Sequence, residues 1–257
     1  MNNILVTRFS LRVSKAWEDK AYMGRSRSEW LRSRFNIFNN TLVSSVKHQT
    51  VLPTHFILLL DPGDMEIFEE CCSRDIAIEP LYANLHNYTQ MLADRIKSLG
   101  LKDIAVSRID SDDLISKDYF CEVNAAINSS RLDDNFFLVS TRGYRATSKK
   151  VQSIFYNCSP FLTSYTYNPS LDNFGVYSFK HKAVIERTHD VMDIPAWIQY
   201  IHGTNIANSM IFPGVEDDEF RARASKNVKL VATKPVDIDR EMLARFPALS
   251  FVISQNQ

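Results

Sequence analysis

Ile104-Ala105-Val106-Ser107-Arg108-Ile109-Asp110-Ser111-Asp112-Asp113 passes from an apolar run into three carboxylates within four residues. The apolar part has the length and composition of a buried strand, and the acids fall at its carboxyl end, where open α/β sheets place their ligands. Reading outward, further strand-like runs lie over residues 4–6, 56–60 and 76–81. The run Phe56-Ile57-Leu58-Leu59-Leu60 is apolar throughout and stops at Asp61-Pro62-Gly63-Asp64, as a strand covered on both faces does when it meets a turn. Between the strands, apolar residues recur at helical spacing over 28–48, 65–73 and 88–99, with Ser28 placed to cap the first helix. The order is βαβαβαβ, an α/β pattern with a mainly parallel sheet. A helix over 116–129 and a strand over 136–140 continue it.

Beyond Gly143 the rhythm changes. Residues 151–184 are rich in Tyr, Phe, Thr and Ser, with turn signals at 157–160 and 168–173, and predict short strands and loops. Residues 195–202 predict a short helix, with Pro195 in its first turn and Asp193 near its cap. Acidic residues 216–219 and basic residues 221–229 read as solvated surface. Neither a linker nor a repeat divides the 257 residues, so a single domain is expected, with a ligand-binding half over 1–142 and a second half over 143–257.

Composition removes other classes. Thirty Lys and Arg balance thirty Asp and Glu, which leaves no electrostatic footprint for a general nucleic-acid binder. No stretch approaches the roughly 20 apolar residues of a membrane span. The chain enters its first strand without a charged and then apolar leader, so a cytoplasmic location is expected. The four cysteines, Cys71, Cys72, Cys121 and Cys158, lack metal-ligand spacing and are expected to be reduced thiols.

Three acids so close together repel one another, and a compensating hard divalent cation with oxygen ligands suits them. A nucleotide sugar needs such a cation, because its diphosphate carries charge in the ground state and more as it departs. The same acids also suit the amino end of the helix that follows, so spacing alone leaves both readings open.

Arg108-Ile-Asp-Ser-Asp-Asp113 after this alternation resembles the Asp-x-Asp segment of glycosyltransferases with the GT-A fold. Arg8-Phe9-Ser10, Trp30-Leu-x-x-Arg34-Phe35, Arg142-Gly143-Tyr144 and Trp197-Ile-Gln-x-x-His202-Gly-x-Asn205 narrow the likeness to the putative rhamnosyltransferase family of bacteria. It runs from about Ile4 to Asn208, and the segment from Trp197 to Asn205 is its most specific part. The resemblance implies a GT-A-like, Rossmann-related mixed sheet, mainly parallel and flanked by helices, with a smaller acceptor-side subregion. It implies a metal-dependent transfer of a sugar, rhamnose among the candidates, from a nucleotide-diphosphate donor to a saccharide or glycoconjugate acceptor, with inversion.

By the same resemblance Asp110, Asp112, Asp113 and His202 would hold Mn2+ or Mg2+, Asp112 most directly and Asp110 nearer the ribose. His181 and His189 are lesser candidates for a metal. Thr7, Arg8, Phe9, Asp61, Arg95, Arg108, Asp110 and Ser111 would contact the donor. Arg95 stands fifteen residues before Asp110, where related transferases carry arginines toward the diphosphate, and a planar guanidinium suits phosphate oxygens. The proton acceptor would lie near a helix start some eighty residues after the acids, which points to Asp193 and then Asp190. The acidic pair common in related enzymes is absent here.

Tyr144 and Trp197, with Tyr165 and Tyr167, are candidate platforms for the acceptor sugar. Arg25, Arg27, Arg142 and Arg145 are further cations that would attract a diphosphate or an anionic acceptor. The competing reading is a non-catalytic nucleotide- or sugar-binding module with the same fold. A nucleotidyltransferase would carry a Gly-rich phosphate loop after the first strand, and none follows Ile4-Leu5-Val6.

Overall fold

The computed structural model describes residues 1–12, 15–168, 175–202 and 230–254. Four parallel strands make one side of a seven-stranded sheet, from its middle to its edge: β1 (Asn2–Arg8), β2 (His55–Leu60), β3 (Glu79–Tyr82) and β4 (Ile104–Arg108). Their side chains alternate between two helix layers, as the period of a strand requires. Leu5, Leu58, Leu60 and Ala105 face a core shared with Phe35, Phe38, Leu42 and Val123, whereas Ile4, Val6, Ile57, Leu59 and Val106 face Leu92 and Ile96. Coverage on both faces is what the unbroken apolar runs predicted.

The helices between these strands are α1 (Lys15–Tyr22), α2 (Arg27–Phe38), α3 (Ser44–Lys47), α4 (Met65–Cys71) and α5 (Tyr88–Ser98). The cap of α2 is Ser26 rather than Ser28: its hydroxyl accepts from Glu29 N and the Glu29 carboxylate accepts from Ser26 N, a reciprocal capping box. A π-helical turn, Asn39–Val43, joins α2 to α3 and packs Thr41 and Leu42 inward. β3 starts three residues later than expected, and its Pro80 is tolerated because β3 is the sheet edge.

After β4 come β5 (Leu114–Ile115), α6 (Tyr119–Ser129), β6 (Phe136–Ser140), β7 (Arg142–Ala146), β8 (Lys150–Tyr156), β9 (Leu162–Thr166), β10 (His189–Met192) and β11 (Trp197–Tyr200). The large sheet runs β10-β6-β9-β4-β1-β2-β3, with β9 antiparallel to both its neighbours. A smaller sheet runs β12-β8-β7-β11-β5, where β12 is Leu230–Ala232, and β13 (Val236–Asp237) also pairs with β8. Helices α7 (Arg240–Arg245) and α8 (Leu249–Ser254) cover it, burying Phe246, Leu249 and Val252 against Leu114, Ala146 and Ile198.

The helix expected over 195–202 is instead strand β11, parallel to β7 and antiparallel to β5. Trp197, Ile198, Gln199 and Tyr200 are all buried, and aromatic and β-branched residues suit a sheet with neighbours on both sides. The ladder continues where Ser116 N donates to the Ala196 carbonyl and Ile201 N to that of Ala146. The acidic and basic stretches over 216–229 lie outside the described residues.

Candidate functional site

The carboxyl ends of β1 and β4 lie side by side, with Val6 opposite Arg108, and the acid loop leaves β4 immediately beyond. The loop closes on itself through Asp113 N, which donates to the Asp110 carbonyl at 3.2 Å. From beneath, α2 sends Arg34 into it: one guanidinium nitrogen bonds Ser111 Oγ and another lies 3.3 Å from Asp112 Oδ2. From the far side β11 delivers His202, whose Nε2 stands 3.0 Å from the same Asp112 oxygen. Arg34, Asp112 and His202 are all largely buried, their side chains 17%, 15% and 8% exposed.

Burial opposes a charge on Asp112, but the Arg34 cation and the His202 hydrogen bond outweigh it and hold the carboxyl well below its usual range. Asp113 moves the other way. It is buried, repelled by Asp112 and Asp110, and raised well above an ordinary carboxyl, with Tyr200 N donating to its Oδ1. Two adjacent acids, Asp112 and Asp113, therefore have opposite environments.

Among the described residues no group of three or more His, Cys, Asp or Glu side chains is arranged to hold a metal ion. Asp112 and His202 nevertheless converge from positions 90 residues apart, a carboxylate oxygen and an imidazole nitrogen. A magnesium-type ion commonly takes one or two carboxylates and fills its remaining positions with water and substrate phosphate oxygens. Asp112 can supply one such carboxylate to a site of that kind, with the His202 imidazole beside it. Asp113, turned toward β11, does not join it.

Beside the acids a cavity of about 700 Å³ opens over the ends of β1 and β4. Its walls carry Arg8 and Arg108 from those strands and Lys180 and Lys182 from the segment before the 3-10 turn His181–Glu186 and from the turn itself. Tyr177 fixes the two arginines: its hydroxyl accepts from Arg8 N at 3.1 Å, and the Arg108 guanidinium lies 4.7 Å from its ring centre. Arg108 is 9% exposed, and its Nε has no hydrogen-bond partner. Among the described residues neither Arg8, Arg108 nor Lys180 makes an ion pair, and none of those that line the cavity is a carboxylate. A buried guanidinium left unmatched costs stability unless an anion completes it.

Other expected residues are employed elsewhere. Arg95 pairs with Glu79 at the amino end of β3, the sheet edge opposite the acids, because α5 runs back down the sheet before reaching it. Phe9 packs against Phe35 and, edge-on, against Phe38 in the core, and Thr7 is fully buried. Asp61 caps the turn Pro62–Asp64 by accepting from Gly63 N, and Arg12 lies 3.4 Å away. Arg27 grips Asp64 with two bonds, and Arg145 donates to Gln199.

Trp197 is 1% exposed and is not a sugar platform. Its ring lies parallel to Phe161 at 4.3 Å, and its Nε1 donates to the Ser140 carbonyl. Tyr144 packs edge-on against Phe246. Tyr165 and Tyr167 sit by the amino end of β4, since β9 is antiparallel to it. Asp190 lies in the edge strand β10 and accepts from Val191 N. Asp193 follows β10 and starts no helix; it is exposed and held by Arg142 at 2.7 Å and Thr141 at 3.2 Å.

A family model described as "Putative rhamnosyl transferase" matches residues 2–213. The chain belongs to this family. No curated protein matches it. Among solved structures, that of S. aureus TarS residues 1–349 with UDP aligns at 13% identity and a TM-score of 0.41, covering 78% of this chain and 61% of that one. The same protein with UDP-GlcNAc aligns at 12% identity and 0.40, covering 79% and 59%. A putative nucleotide-diphospho-sugar transferase from Desulfovibrio desulfuricans G20 aligns at 12% identity and 0.41, covering 99% and 98%. The family member described here thus spans about 61% of the TarS fragment.

Proposed function

We propose that this family member transfers a sugar from a nucleoside-diphosphate donor to a hydroxyl of a saccharide or glycoconjugate, by direct displacement with inversion on a GT-A-like sheet. Rhamnose is the candidate sugar, from the family's description. The single observation that carries the reading is the cavity at the strand ends, where Arg8, Arg108, Lys180 and Lys182 converge beside the acid loop. Planar guanidinium groups match phosphate oxygens in pairs, and the lysines add point charge.

In this reading Arg108, already buried, holds a diphosphate oxygen and stabilises the charge that grows there as the sugar bond breaks. Arg8 takes a second oxygen, while Asp110 accepts from a ribose hydroxyl. Asp112 and His202 would hold Mn2+ or Mg2+, which when bound supplies Lewis-acid neutralisation of the diphosphate. Arg34 keeps Asp112 ionised and aimed. The four free cysteines accord with a reducing, cytoplasmic setting.

The test is calorimetric titration with UDP, GDP, CDP and dTDP, each with and without Mn2+. One of them is expected to bind and to stabilise the fold by about 2.7 kcal/mol at a hundredfold excess over Kd. Arg108→Ala is expected to weaken binding at least tenfold, or about 1.4 kcal/mol. Absence of binding by all four nucleotides would remove the reading.

A further inference from the structure

Transfer to a hydroxyl releases a proton, and the described walls of the cavity hold no carboxylate to take it. They do hold His181, the first residue of the 3-10 turn. Its Nδ1 lies 2.5 Å from the carbonyl oxygen of Cys158, which can only accept, so Nδ1 carries the proton and Nε2 presents a lone pair. The ring is set edge-on to Tyr156 at 5.8 Å.

The groups around it are Arg108 from β4, Asp110 from the acid loop, Tyr156 and Cys158 from β8 and its exit, and Lys182 from its own turn. Burial, with the nearby Arg108 and Lys182 charges, lowers its affinity for a second proton. Tyr177, which also lines the cavity, is pushed by burial up to about 12 and stays protonated.

We propose that His181 is the proton acceptor of the transfer, a role that rests on the nucleotide-sugar reading above. The acceptor hydroxyl gives its proton to His181 Nε2 as its oxygen forms the bond to the anomeric carbon. The bond from that carbon to the diphosphate oxygen breaks, and its electron pair leaves with the nucleoside diphosphate. The imidazolium then returns the proton to solvent. A neutral imidazole with a fixed tautomer suits this step, because it already stands in the proton-accepting form, and an imidazole's conjugate acid ordinarily titrates near neutral pH, where a general base works best.

The experiment follows nucleoside-diphosphate release from UDP-, GDP-, CDP- and dTDP-linked sugars with Mn2+, across pH, for wild type, His181→Gln and Asp193→Asn. Gln retains a donor for the Cys158 carbonyl but cannot take the proton. His181→Gln is expected to slow release by about 10² to 10⁴ and to abolish the acidic limb of the pH profile, with nucleotide affinity and melting temperature unchanged. Release within about threefold of wild type, an unchanged acidic limb, or transfer of both effects to Asp193→Asn overturns the assignment. Should His181→Gln fail to fold, long-range ¹⁵N spectra of the wild type decide: a lone pair on Nε2 near neutral pH supports the role, and a proton there overturns it. Turnover that ignores His181 removes this inference alone, whereas a wild type that neither binds nor turns over any of the four donors removes the transferase reading with it.

Discussion

Arg34 is the residue whose role the sequence hides best. It belongs to a helix whose pattern is plain from Trp30, Leu31, Phe35 and Phe38, and the motif Trp30-Leu-x-x-Arg34-Phe35 gives it a place in the family likeness but no partner. Only the fold shows it entering the acid loop, where Asp112 and Ser111 receive it. Asp112 and His202 are named together only through the family resemblance, and the fold brings their side chains to 3.0 Å across 90 residues of chain. Arg95 was misplaced for the converse reason: distance along the chain says nothing of which sheet edge a helix residue reaches. Arg34→Met keeps the stem but leaves Asp112 without its guanidinium. Removing one member of a largely buried pair is expected to cost about 3 kcal/mol, read from urea unfolding, with the secondary structure retained.

At the scale of elements, the alternation from β1 to β4 was readable because each strand is covered on both faces and therefore apolar throughout. Strand β11 was not. Pro195 and the nearby Asp193 imitate a helix start, and four consecutive buried side chains carry no period that marks a strand. Its identity depends on partners elsewhere in the chain, Tyr144 to Ala146 on one side and Leu114 and Ile115 on the other. The same strand explains Gly143 in Arg142-Gly143-Tyr144. A Cβ there would sit 2.1 Å from Cδ2 of Trp197, whose opposite face is taken by Phe161. Gly143→Ala is therefore expected to displace the indole, break its bond to the Ser140 carbonyl and cost at least about 2 kcal/mol. Near-ultraviolet circular dichroism would report the tryptophan, and a denaturation midpoint equal to wild type would contradict the packing.

For the molecule as a whole, the smaller sheet depends on the last described segment. Phe246, Leu249 and Val252 are fully buried, Arg245 donates to the Pro195 carbonyl at 2.7 Å and pairs with Glu122 at 2.6 Å, and Lys117 N donates to the Arg245 carbonyl. Residues 245–252 lie outside the span matched by the family model, yet they brace β5, which follows the acid loop, and β11, which leads to His202. A chain ended at Asp239 loses Ala248 and three large buried apolar side chains, the large ones worth roughly 1.5 to 3 kcal/mol each, against a typical total of about 5 to 15. Such a chain is expected to lose cooperative thermal unfolding, and an unshifted calorimetric transition would show that α7 and α8 are dispensable. The ladder that they brace has only two described pairs, Ile115 with Trp197 and Leu114 with Ile198. It acts as a ruler between Asp112 and His202, so the contour of chain joining them does not set their distance. Loops between β5 and β11 are free to lengthen or shorten over evolution without parting the two side chains. A single residue gained or lost within 113–115 or 197–201 turns one strand over and separates them at once.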